Sequence, residues 1–239
     1  MIGKTFKTNN SGKCVVVDYI NYENVTIEFV DTGYKTKTRM DNLIRGKVKD
    51  YLYPSVYNQG ILGVDFCNDE VKTKQFMLWK NMLKRCYSEV SLKESPTYHN
   101  CKVSDNFVEY PYFKEWCNKQ IGHDKVGWQL DKDILVKGNK IYSEDTCCFV
   151  PKEINLAFVK KEKSRGDYLI GVDFHTARKQ YRARCSTKHL GWFSTELEAF
   201  QAYKQAKEAY IKEVANKWKD QIDHRVYEAL MNYQVGITD

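Results

Sequence analysis

The chain contains no run approaching the roughly 18–20 apolar residues that a membrane helix needs. Its first residues, Met1-Ile2-Gly3-Lys4-Thr5-Phe6, carry no apolar stretch of the signal-peptide kind. The expectation is therefore a protein that stays in the cytosol and has no membrane partner. Its eight cysteines should then be reduced thiols, and none forms a Cys-x-x-Cys pair, so the usual zinc-ribbon signal is absent. No internal repeat and no low-complexity segment is present, which excludes a solenoid. With 42% hydrophobic and 14% aromatic residues in 239, the chain is long and apolar enough to bury cores, which excludes a disordered tail.

Positive charge is abundant, but only in one place. Between Lys160 and Lys188, nine Lys and Arg meet three acids, a net of +6 in 29 residues out of +7 for the whole chain. Concentrated charge of this kind is the footprint of a phosphate-backbone binder, and an ordinary solvated basic face is the alternative.

The pattern predicts an α+β protein of three modules. Residues 1–63 read as short strands, Cys14–Val17, Val25–Val30 and Tyr34–Arg39, bent into a small β-barrel and ending at Asn58-Gln59-Gly60 and Gly63. Residues 64–159 open with two apolar stripes at helical spacing, Phe76 to Cys86 and Phe107 to Cys117, interrupted at Ser91 to Pro96. Two strands follow, Trp128–Ile134 and Thr146–Val150, joined through Lys137-Gly138-Asn139-Lys140, and Pro151 then begins a helix. Residues 160–239 read as a lysine-rich linker to 167, three short strands within 169–193, and a long amphipathic helix from Glu196 to Lys219. Ser194-Thr195 caps that helix, with Glu198 placed for a capping box.

The segment from Asp131 through Asn155, with Trp79-Lys80-Asn81-Met82-Leu83-Lys84-Arg85-Cys86-Tyr87 before it, resembles phage HNH homing endonucleases over about residues 76–159. The resemblance implies a ββα-metal module with preceding helices. Thr146 would take the place of the loop-tying Asn and Asn155 that of the metal-binding Asn. Asp131, Asp133 and Asn155 would be the catalytic group, with Asp133 and Asn155 holding Mg2+ or a similar divalent cation through oxygen ligands. The upstream histidine of such motifs is missing from Leu130-Asp131-Lys132-Asp133-Ile134. A carboxylate with pKa of about 3.9 is a weak base at neutral pH beside an imidazole at about 6.5. So either an acid such as Asp131 is retuned, a remote group such as His123 or Tyr142 serves, or the centre is slow or dead. The bland alternative makes Asp131 and Asp133 plain hairpin charges. Cys86, His99 and Cys101 are a further, irregularly spaced set that would bind zinc if gathered, with buried free thiols as the favoured reading.

The final module resembles the ethylene-response-factor type of DNA-binding domain. The matching residues are Gly171-Val172, Tyr181-Arg182-Ala183-Arg184, Leu190-Gly191-Trp192-Phe193, Thr195-Glu196, Glu198-Ala199 and Ala202-Tyr203. That family lays its sheet in the major groove, which implies Arg178, Arg182, Arg184, Lys188 and Trp192 as DNA contacts. From the residues alone, Arg182 and Arg184 share one strand face and Tyr181 and Ala183 the other. Trp192 as plain core is the competing assignment. The first module, through Glu28-Phe29-Val30-Asp31-Thr32-Gly33-Tyr34, resembles the Src-homology-like barrels that begin the same phage proteins. Lys35, Lys37 and Arg39 would there either follow DNA or only serve the fold.

Together the resemblances imply sequence-recognising binding of double-stranded DNA with metal-dependent phosphodiester hydrolysis, inside a bacterial host cell and without a small-molecule cofactor. Two alternatives stay open: a catalytically silent DNA-binding regulator, and a counter-defence protein whose partner is a host protein.

Overall fold

The computed structural model describes residues 1–158 and 167–238, and the basic run 160–165 lies outside them. The architecture is α+β, built from several small sheets and seven α-helices among the described residues. None of those helices is long and apolar enough to cross a membrane. The chain divides into two compact units, Met1–Lys119 with Lys140–Asp145, and Gln120–Asn139 with Thr146–Asp239.

The first unit begins with an antiparallel meander of β1 (Thr5–Lys7), β2 (Lys13–Asn21), β3 (Asn24–Phe29) and β4 (Lys35–Thr38), followed by α1 (Met40–Ile44). Alternation along β3 sends Val25, Ile27 and Phe29 inward, where Cys14, Val16, Met40 and Leu43 complete a core. The strands run in the order β1-β2-β3-β4 with β1 and β4 unjoined, so the sheet is open where a barrel was expected. The segment 18–24 between the first two expected strands is itself mostly strand, because the β2–β3 ladder continues to Asn21↔Asn24 and leaves only Tyr22 and Glu23 to turn.

Both apolar stripes are helices. In α2 (Lys74–Tyr87) Phe76, Trp79, Met82, Leu83 and Cys86 are buried, and the Thr73 hydroxyl accepts the Phe76 N–H as the cap. In α4 (Tyr110–Lys119) the buried residues are Tyr110, Phe113, Trp116 and Cys117. The expected break at 91–96 instead holds a short helix, α3 (Glu89–Glu94), capped by Ser88. Two pieces that periodicity does not reveal, β5 (Lys102–Val103) and β7 (Ile141–Tyr142), pair in parallel.

In the second unit β6 (Trp128–Asp131) and β8 (Cys148–Pro151) pair antiparallel, Leu130 opposite Phe149, and Pro151 leads into α5 (Lys152–Ala157). Strand, strand and helix thus follow in the expected order, although β7 lies between the two strands in sequence and pairs elsewhere. A second sheet contains β9 (Val172–His175), β10 (Gln180–Cys185) and β11 (Lys188–Phe193), with β10 central. The long helix α6 (Glu196–Trp218) packs across it, and its Thr195–Glu198 capping box is present. Val172, Ala183, Cys185, Ala199, Phe200 and Tyr203 form the core between sheet and helix. Gly171 is required here: its φ is +77°, and a Cβ would stand 2.1 Å from the Tyr203 ring. A helix not foreseen, α7 (His224–Met231), buries Val226 and Leu230 and returns the chain so that Val235 joins the same core.

Candidate nucleic-acid interface

The three-stranded sheet has one covered face and one open face, and strand register sorts the side chains between them. Ala183 pairs with Val172 and Gly191 on the covered face. One residue earlier, Arg182 lies between Asp173 on β9 and Trp192 on β11, so all three share the opposite face. A bulge after Ala183 skips Leu190, places Arg184 opposite His189 and keeps both on the outer face.

Trp192 is the centre of that face. The Arg178 guanidinium lies 4.8 Å from its ring centre and that of Arg182 5.6 Å, both within cation–π range. His175 and His189 approach the same ring at 5.0 and 5.2 Å. Trp192 is thus absent from the core cluster, and its competing assignment as plain core has no support in the packing. Asp173 binds Arg182 in a fork: Nε donates to Oδ1 and Oδ2 at 3.1 and 3.0 Å, and Nη2 to Oδ2 at 2.7 Å. Nε of Arg184 lies 3.3 Å from the same carboxylate. Four of the five residues expected to contact DNA therefore gather on one face. Lys188 does not, because it pairs with Cys185, whose thiol is buried on the covered face.

The hairpin-helix shows a different balance. Oδ1 of Asp131 accepts the backbone N–H groups of Asp133 and Ile134 at 2.7 and 2.8 Å, closing the turn after β6. Burial pushes the Asp131 carboxyl above the usual carboxylate range, against the pull of those two bonds. Asp133 is instead exposed and receives Nζ of Lys132 at 2.6 Å. That lysine is itself buried and also donates to the Asn139 carbonyl at 2.8 Å. Nδ2 of Asn155 donates to Oε1 of Gln129 at 2.7 Å. Gln129 and Asp131 are alternate residues of β6 and so share a face, roughly 6.6–6.8 Å apart along the strand.

These positions bear differently on the two carboxylates of the expected site. A buried ammonium beside Asp133 repels a dication, whereas a partly desolvated Asp131 is relieved by one. Of the remote bases, the Tyr142 phenol is buried and pushed well above its ordinary range, which removes it as a base at neutral pH. His123 holds the Gln120 carbonyl through Nδ1 at 3.0 Å.

Among the described residues, no group of three or more His, Cys, Asp or Glu is placed to hold a metal ion, so Cys86, His99 and Cys101 form no such cluster. None of the eight cysteines is in a disulfide, and seven are buried. Burial holds the Cys117 thiol up at about 12, the behaviour of an inert core thiol. In the first module two of the three basic residues singled out, Lys35 and Arg39, are already paired. Lys35 meets Glu28 at 3.3 Å, and Arg39 meets Asp41 at 3.2 Å and Glu23 at 3.6 Å. Strand alternation with Asp131 was a signal for Gln129, whereas Asp173 meets Arg182 only through the β9–β10 register, and neither belongs to a motif. No family model, curated protein or solved structure matches this chain.

Proposed function

We propose that the protein binds double-stranded DNA through the open face of the β9-β10-β11 sheet, inside the cell. The carrying observation is the stack of Arg178 and Arg182 on Trp192, with Arg184 alongside, on the face that α6 leaves uncovered. A two-stranded or wider β-ribbon enters the roughly 12 Å major groove, where arginine reads base edges and phosphates. The hairpin-helix adds a degenerate HNH-type centre for phosphodiester hydrolysis. Asp131 and Asn155, with Gln129 holding the Asn155 amide, would bind Mg2+ or a similar ion, which supplies charge stabilisation at the scissile phosphate. Asp131 and the Gln129–Asn155 pair orient the oxygen donors, and Lys132 keeps Asp133 out of the set. Lacking the imidazole, the centre is slow.

A second reading, a catalytically silent DNA-binding regulator, is favoured by one observation: one Asp131 oxygen is already committed to two backbone N–H groups. A single assay separates them. The protein is added to plasmid and to labelled duplex, with and without magnesium. Duplex shift with magnesium-stimulated nicking supports the nuclease, and shift without nicking supports the regulator. No shift at low salt rejects both.

A further inference from the structure

Asp173 is an odd residue to find on a face meant for a polyanion. It subtracts charge from the patch and stands where a phosphate would be repelled. Its contacts show what it does instead. It occupies the Nε–Nη2 edge of Arg182 with both of its oxygens, and it takes Nε of Arg184 as well. Trp192 lies against the Arg182 guanidinium from the neighbouring strand. An exposed arginine ordinarily samples many rotamers, and selecting one of them costs conformational entropy. Here the plane is held by a carboxylate on one side and a ring on the other.

The edge that Asp173 leaves is specific. With Nε and one N–H of Nη2 engaged, the end-on edge, Nη1 with the second N–H of Nη2, still offers two parallel donors. Two parallel donors match the O6 and N7 acceptors of guanine. Adenine presents a donor beside its acceptor, and cytosine presents a donor. We propose that Asp173 is the specificity-determining positioning residue of the DNA-binding face, holding Arg182 end-on for guanine in the major groove. This rests on the proposed duplex binding and deepens it: Asp173 lowers affinity for DNA at large and raises discrimination. A carboxylate present only as surface charge would do the first and not the second.

The probe is a pool of duplexes with a randomised core, from which the parent protein selects a preferred duplex. That duplex is then remade with 7-deazaguanine, which lacks N7, at each guanine in turn. Parent, Asp173→Asn and Arg182→Lys are compared on the pool, on the selected duplex and on the substituted ones, with thermal melts confirming that each is folded. For the parent, at least one substitution should weaken binding on the order of tenfold. Asp173→Asn should bind the unselected pool as well as the parent or better, yet lose most of that tenfold penalty. Arg182→Lys keeps the charge without the fork and should lose the penalty too, and adding Asp173→Asn to it should change discrimination no further. If Asp173→Asn keeps the parent's penalty, the positioning role is overturned while duplex binding stands. Should Asp173→Asn fail to fold, Arg182→Lys decides: an undiminished penalty overturns the proposal. A parent that shifts no duplex at all rejects the underlying reading along with this one.

Discussion

The Glu153 carboxylate accepts the indole N–H of Trp218 at 2.8 Å, joining the helix of the strand-strand-helix segment to the far end of the helix behind the basic sheet. Nζ of Lys217 adds 2.8 and 2.7 Å contacts to the same carboxylate, and Trp128 meets Trp218 edge-on at 6.2 Å. The segment that carries Asn155 and the sheet that carries Arg182 are thus parts of one unit.

This contact has a pH signature. The hydrogen bond from Lys217, then that from Trp218, hold the Glu153 carboxyl below its ordinary range. A lowered folded-state pKa contributes stability above the unfolded value of about 4.3, and that contribution is lost as pH falls through the folded value. Glu153→Gln should cost about 0.5–1.5 kcal/mol at pH 7, since the pair is half-exposed. In urea melts the difference from the parent should shrink steadily below about pH 4.3. A gap that stays constant to pH 3 would show that the carboxylate charge contributes nothing.

On the open sheet face, Arg182→Ala should cost about 1–3 kcal/mol of specific duplex affinity. Arg178→Ala should weaken all sequences alike and reduce the salt slope by about one. Lys188→Ala should leave base discrimination unchanged, because its register partner is the buried Cys185. Gel shifts across a salt series measure all three, and a Lys188 variant that alone relaxes specificity would reverse the assignment of faces.

Asp131 and Asp133 should part company. Burial raises the Asp131 carboxyl, so its charged form costs stability at neutral pH and its protonation on acidification relieves that cost. Asp131→Asn keeps an acceptor for the two N–H groups and should match or exceed the parent's Tm at pH 7. It should also abolish any rise of Tm with magnesium and any magnesium-dependent nicking, as should Asn155→Ala. Asp133→Asn should spare both. Differential scanning fluorimetry with a magnesium titration reads the outcome, and an Asp133 variant alone losing the response would restore Asp133 as the ligand.

The C-terminal segment is structural. Val235 donates its backbone N–H to Glu208 at 2.8 Å, its carbonyl accepts Nζ of Lys204 at 2.8 Å, and its side chain lies in the sheet-helix core. Residues 168–220 hold all three strands and α6, but they omit Val226, Leu230 and Val235, all buried. A chain ending at 220 should lose several kcal/mol, and Leu230→Ala in the full chain about 2–5 kcal/mol. Denaturant midpoints give both numbers. An unchanged midpoint for the shortened chain would show that α7 is dispensable.

What the sequence by itself determined is local. Helical spacing laid out the buried stripes of α2 and α4, the Thr195–Glu198 box started α6, and two-residue alternation put Arg182 and Arg184 on one strand face. Each of these follows from a backbone period of 3.6 or 2, which the order of residues alone can express. What only the tertiary structure decided is which strand lies beside which, and in what register. It set Asp173 opposite Arg182, sent Lys188 to the Cys185 side, and left the meander open. It also paired β5 with β7 in parallel across nearly forty residues and brought the Asn155 amide onto Gln129. Those outcomes depend on contacts between residues far apart in the chain, where register and burial, not local period, carry the free energy.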